Sequence, residues 1–174
     1  DDDWETMNGL DPMDPTDAWG DADSDFILNL FEFQLQTNPN NDASPSVIEF
    51  NPDTDDLESL MDGAQDGIAV IRIPEGEYFI NYTRFYSGSV RLMVQGGWNA
   101  DFTEYDPELS PTVLNGGFLD EVLYFASSTT ITPFANMDVI LDGLDIINGG
   151  GFSLFGSVTL LNDEGVDAAF SIYN

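Results

Sequence analysis

The chain has 174 residues, of which 33 are acidic and 3 basic, giving a formal net charge of −30 with neither His nor Cys. Its 42% hydrophobic content is enough to build a core in one ordinary domain, which sets wholesale disorder aside. A surface this negative repels phosphate backbones and anionic headgroups, which argues against nucleic-acid and membrane-surface binding, and the missing His and Cys remove Ser-His-Asp and Cys-His catalysis, thiolate chemistry, haem and the usual zinc sites.

The three basic residues are Arg72, Arg84 and Arg91. So large an acid excess needs a counter-charge from its surroundings. Three sources compete: a saline habitat, bound divalent cations, or the plain solubility of an exported protein. Asp predominates over Glu and Lys is absent, which suits a salt-adapted surface, and Asp is also a favoured Ca²⁺ ligand in loops.

Residues 1–25 are dense in Asp and broken by Pro12, Pro15 and Gly20, so they read as an acidic arm without fixed structure of its own. The start at Asp1-Asp2-Asp3, with no Met and no apolar leader, reads as a mature secreted chain or a cut product, and no stretch reads as a membrane helix. One sequon, Asn81-Tyr82-Thr83, marks a candidate glycosylation position.

At the end of the arm, Asp21-Ala22-Asp23-Ser24-Asp25 places carboxylates at alternate positions, and Glu32 stands twelfth counted from Asp21. That is the ligand spacing of a calcium loop, with Phe26 in the sixth position where Gly is expected. The flanks read as arm and strand rather than as two helices, so a looser Ca²⁺ loop competes with a solvated run of acids. No other cofactor is indicated: haem, zinc and nucleotide all lack their residues.

Residues 26–52 form a second segment. From Leu28 the pattern alternates, with Leu28, Leu30, Phe33 and Leu35 set against Asn29, Glu32, Gln34 and Gln36, which predicts a strand with a bulge near Leu30-Phe31. Ser46–Phe50 predicts a second short strand. Residues 53–174 begin with a helix over 53–63, started by Thr54 or Asp55 and stopped by Gly63. A strand, a Pro74-Glu75-Gly76 turn and another strand follow over 68–80.

Four later segments share one shape: Leu92–Gly96, Thr112–Gly116, Val139–Gly143 and Thr159–Asp163. Each ends on an aliphatic residue, then an amide or carboxylate, then a turn residue. With Ile73 as the first, the aliphatic anchors Ile73, Val94, Leu114, Leu141 and Leu161 recur about every twenty residues, with one longer interval before Leu141. Such a recurrence fits one solenoid turn per repeat. A β-sandwich also repeats short strands, though usually at closer spacing.

At these residues the chain resembles the right-handed parallel β-helix proteins of the pectate-lyase-like superfamily, of the secreted bacterial type. The matching pieces are the helix followed by Ala69-Val70-Ile71-Arg72-Ile73-Pro74-Glu75-Gly76-Glu77-Tyr78, then Gln95-Gly96-Gly97-Trp98 with Ser110–Gly116, then Val139–Gly151. They cover about 69–174. The resemblance implies an all-β fold: a right-handed parallel β-helix with a short N-terminal capping helix, an acidic N-terminal arm and an added strand. Coils stacked at about 4.8 Å would place Asn115, Asp142 and Asn162 in one side-chain ladder.

Lyases and hydrolases occur on that fold, but their patterns call for basic or His residues that this chain lacks beyond Arg91, and a polyuronate would meet a negative protein. Paired acids such as Asp142 and Asp145 are the remaining candidates for glycoside chemistry. The strand-like end at Phe170–Tyr173 suggests an open edge covered by another copy or by further coils of a longer chain. Phe26, Leu28, Leu30, Phe33 and Leu35 are the candidates for the covering strand, with Phe170 and Ile172 at the receiving edge. The resulting expectation is an extracellular, cell-surface structural or adhesive protein that assembles with itself. The rival is a carbohydrate-active or glycan-binding module.

Overall fold

The computed structural model describes residues 1–63, 67–86, 90–119, 122–127, 137–149, 152–155, 157–161 and 170–173. The chain divides into two compact units, Asp1–Ser46 and Val47–Asn174.

The first unit is helical. Helix α1 (Asp2–Asn8) is capped by Asp1, whose carboxylate accepts from the Asp3 and Trp4 amides, and it ends at Gly9 with φ 78°. Both features are what the sequence chemistry of a short helix requires. A 3₁₀ turn over Asp17–Trp19 follows, then helix α2 (Asn29–Leu35), which closes at Gln36 in the left-handed region. Phe31 and Leu35 are buried on one side of α2, and Ile27, just ahead of the helix, is buried with them. Trp4 meets Phe33 edge to face at 5.2 Å between ring centroids.

This corrects two expectations. The acidic arm carries ordered helix and turns, and 26–36 holds a helix instead of a bulged strand. The four-residue step from Phe31 to Leu35 places both side chains on one helical face. The alternation read from Leu28 onward needed a slip at Leu30-Phe31, and that slip was the helical period showing through.

The second unit starts with β1 (Val47–Glu49) and helix α3 (Leu57–Asp62), whose Leu57 and Met61 are buried. Short strands then follow: β2 (Ile68–Pro74), β3 (Gly76–Phe79), β4 (Tyr82–Tyr86), β5 (Val90–Trp98), β6 (Thr112–Leu119) and β7 (Leu123–Ser127). They continue as β8 (Met137–Asp142), β9 (Leu144–Gly149), β10 (Phe152–Phe155), β11 (Ser157–Leu161) and β12 (Phe170–Tyr173). The named strands make three sheets, ordered β1-β2-β5-β8-β11, β12-β10-β7-β4 and β3-β6-β9, and every pairing between them is parallel.

The all-β β-helix expected from the resemblance is overturned as the class of this chain. Three α-helices and a 3₁₀ turn lie within residues 1–62, and the strands are short pieces in separate small sheets, so the content is mixed α and β. The local sequence explains the helices in part: Asp1 caps α1, α1 and α2 end in left-handed residues, and Phe31/Leu35 and Leu57/Met61 repeat an i, i+4 apolar spacing. Helix α3 starts after Asp56 and not at Thr54 or Asp55.

The core of the second unit lies between the sheets. Ala69, Leu92 and Val139 stand in register across β2, β5 and β8, as do Ile71, Val94 and Leu141. Leu114 and Ile146 from the three-stranded sheet, Leu123 from the four-stranded sheet, and Phe50, Leu57 and Met61 complete the same buried cluster. Because strand side chains alternate, Arg72, Gln95 and Asp142 fall in register on the opposite face of the five-stranded sheet. Gly96 leaves no space for a side chain: a Cβ there would lie 2.4 Å from the Gly143 carbonyl oxygen and 2.7 Å from Thr112 Cβ. No helix among the described residues is long and apolar enough to cross a membrane.

Candidate functional site

The acidic loop of the first unit brings together three of the residues picked out by spacing. Carboxylate oxygens of Asp21, Asp23 and Asp25 all lie within 4.8 Å of one another. Asp21 holds the loop's shape. Its Oδ1 accepts from the amides of Ser24 at 2.8 Å and Asp25 at 3.3 Å, and its Oδ2 accepts from Phe26 at 2.8 Å. Asp25 Oδ1 in turn accepts from the Ile27 amide at 2.8 Å. Phe26 occupies the sixth position with φ 66°, the left-handed region that Gly would enter freely.

Helix α2 supplies the rest. Asn29 and Glu32 are three residues apart and share one side of the helix. Asn29 donates from Nδ2 to the Asp17 carbonyl at 2.8 Å, and its amide donates to the Gly20 carbonyl at 2.8 Å. Glu32 is fully buried, with Oε1 accepting from the Thr37 hydroxyl at 3.2 Å. Glu32 Oε2, Asn29 Oδ1 and both carboxylate oxygens of Asp23 are buried without a hydrogen bond of normal geometry.

The electrostatics of the loop follow from this crowding. Burial, then the charges of Asp23 and Asp25, push the Glu32 carboxyl up to about 8; the Thr37 hydrogen bond opposes the rise and the Asp21 charge adds to it. Burial also raises Asp23; the backbone of Asp25 and Asn41 opposes that rise, and the charge of Asp21 adds to it. No Lys, Arg or His lies between residues 1 and 46, so no basic side chain of this unit balances the group.

A second polar group sits on the outer face of the five-stranded sheet. Gln95 donates from Nε2 to Asp142 Oδ2 at 3.2 Å, while its Oε1 accepts from Trp98 Nε1 at 3.2 Å and Arg72 Nε at 3.3 Å. Arg72 also stacks over the Trp98 ring at 4.4 Å. The Tyr105 hydroxyl closes the row with a 2.7 Å hydrogen bond to Asp142 Oδ2. Burial raises the Asp142 carboxyl, opposed by its hydrogen bonds from Tyr105 and Gln95. Burial and the Asp142 charge raise the Tyr105 phenol. Beside this row a cleft of about 760 Å³ is lined by Tyr105, Asp106, Glu108, Thr112 and Asp145 among others.

Of the expected Asn115–Asp142–Asn162 ladder, Asn115 and Asp142 fall in different sheets and do not stack. Asn115 belongs to β6 in the three-stranded sheet, where its Nδ2 donates to Glu77 Oε1 and its Oδ1 accepts from the Gly117 amide at 2.9 Å. Asp142 belongs to β8 in the five-stranded sheet and pairs in register with Gln95, while Asn162 lies outside the described residues. Gln95 could have been found, since it holds in Leu92–Gly96 the place that Asp142 holds in Val139–Gly143. Tyr105 and its long loop carry no such signal.

The assembly candidates are also dispersed. Leu35 is buried in the first unit's core, Leu28, Leu30 and Phe33 are half-buried there, and Phe26 is exposed. A helix cannot donate a strand, so this segment is not a covering strand. Phe170 and Ile172 lie in β12, which pairs in parallel with β10. Compared with family models, with curated proteins and with solved structures, the chain matches none.

Proposed function

We propose that this chain is an extracellular structural or adhesive module that works in cation-rich or saline surroundings and associates with copies of itself or with further parallel strands. The observation that carries the reading is the Arg72–Gln95–Asp142–Tyr105 row. Its buried polar atoms are spent on one another across neighbouring strands, as in a scaffold whose ladders fix register. The net charge of −30 supports the saline or cation-rich setting, because a dense acidic surface repels itself unless it is screened. Negative-stain microscopy and sedimentation of the purified chain, at low and high salt, test the reading. Filaments or discrete oligomers support it; monomers under every condition sink the association.

The cleft beside Tyr105 favours a second reading, a glycan-binding module. Its carboxylates at Asp106, Glu108 and Asp145 offer hydrogen-bond acceptors for sugar hydroxyls, next to an aromatic residue. Saturable binding of a neutral oligosaccharide by the monomer, lost in D145N, would move the assignment to this reading.

A further inference from the structure

We infer that Asp21, Asp23, Asp25 and Glu32 form a Ca²⁺ centre that orders the N-terminal unit. The three Asp carboxylates already converge to within 4.8 Å, the span open to two oxygens that each lie about 2.4 Å from one ion. Clustered acids alone would not assign a site. The independent sign is Glu32, which arrives from helix α2, is fully buried, and leaves Oε2 without a hydrogen-bond partner, as both carboxylate oxygens of Asp23 are left. An ionised carboxylate buried in this way is costly unless a cation meets it. Asn29 Oδ1 is a second buried oxygen without a partner on the same side of the helix.

The donors stand at the first, third, fifth, ninth and twelfth positions of one loop, and Ile27 in the seventh would contribute its backbone carbonyl. All are hard oxygens, with no imidazole or thiolate, which disfavours zinc and copper. A set of this many ligands drawn from a loop and a helix suits the large, variable shell of Ca²⁺. Mg²⁺ prefers a tight octahedron that keeps several waters.

Cation binding here is separate from the self-association proposed above, and either can fail without the other. The test is calorimetric titration of CaCl₂ into the chelator-treated full chain, with amide hydrogen exchange over residues 20–36 as the second readout. The expected result is one Ca²⁺ per chain with a dissociation constant of about 10⁻⁴ M or tighter, and slower exchange of the loop and α2 amides. E32Q and D23N should each weaken binding at least tenfold, while D53N, an exposed acid in the other unit, should leave it unchanged. Absence of saturable binding, binding that ignores both E32Q and D23N, or equal binding of Mg²⁺ would overturn the assignment. Should either variant fold poorly, Tb³⁺ luminescence lifetimes of the unaltered chain decide the matter. Loss of most of the ion's hydration water supports the centre, and a nearly full hydration shell refutes it.

Discussion

The Tyr105 hydroxyl reaches from the loop after β5 to the buried Asp142 carboxylate, 2.7 Å away, and so ties that loop to the end of β8 in the five-stranded sheet. Asp142 keeps a second donor in Gln95, but the phenol makes the shorter bond. Y105F removes one of the two donors to Oδ2 without leaving a large void and should lower stability by about 1–3 kcal/mol, the net range for a hydrogen bond to a carboxyl group. Urea unfolding at neutral pH measures this, and an unchanged midpoint would show that the bond contributes nothing net.

The same carboxyl makes a pH prediction. Burial raises Asp142 above its ordinary 3.8, so the folded state holds that proton more tightly than the unfolded chain does. Its contribution is therefore fully present below about pH 3.8 and is lost as pH rises through the higher folded value. D142N should remove this term, making the urea midpoint less dependent on pH between acid and neutral conditions than in the unaltered chain. Glu32 and Asp23 act with the same sign, so a residual slope is expected in D142N. A slope identical to the parent's would mean that Asp142 is not the titrating group.

Gly96 predicts a packing failure. An added methyl would sit 2.4 Å from the Gly143 carbonyl oxygen and 2.6 Å from Leu144 Cδ2, where backbone and core leave no room to yield. G96A should cost about 3 kcal/mol, the upper part of the usual range for overpacking. Gly9, around which a Cβ would meet nothing, is the matched comparison, with only its left-handed φ of 78° to strain a side chain. Thermal unfolding of both variants separates the two causes, since G9A should lose about 1 kcal/mol.

Which parts of this architecture were readable beforehand follows from how far apart the interacting residues lie. The helix at Leu57–Asp62 and the strands over 68–79, 92–95, 112–115 and 139–142 rest on local chemistry, and the sequence marks them. The convergence of Asp21, Asp23 and Asp25 is likewise a property of one short loop. The failures are of two kinds. Phe26–Leu35 satisfies alternation imperfectly and the 3.6-residue period well, and only packing of Ile27, Phe31 and Leu35 in a common core decides between them. Asn115 resembles Asp142 in local shape, but β8 pairs with β5 and β11 and not with β6. Parallel pairing joins strands that are distant in the chain, so similar segments need not be neighbours.

The loop around Phe26 supports a last prediction that separates backbone strain from side-chain loss. Phe26 holds φ 66° with its ring partly in solvent, and Asp21 fixes that geometry by accepting the Phe26 amide at 2.8 Å. A left-handed conformation costs a residue with a Cβ about 1–2 kcal/mol, a cost that Gly does not bear. F26A keeps the Cβ and removes the ring, whereas F26G removes both. If strain dominates, F26G should bind Ca²⁺ more tightly than F26A, by up to about tenfold for 1.4 kcal/mol. It should also unfold at a higher temperature than F26A when the cation is saturating. Equal affinities and equal midpoints would mean that the folded loop carries no strain at this position. In that case the aromatic ring, and not the backbone, would be the reason this loop departs from Gly.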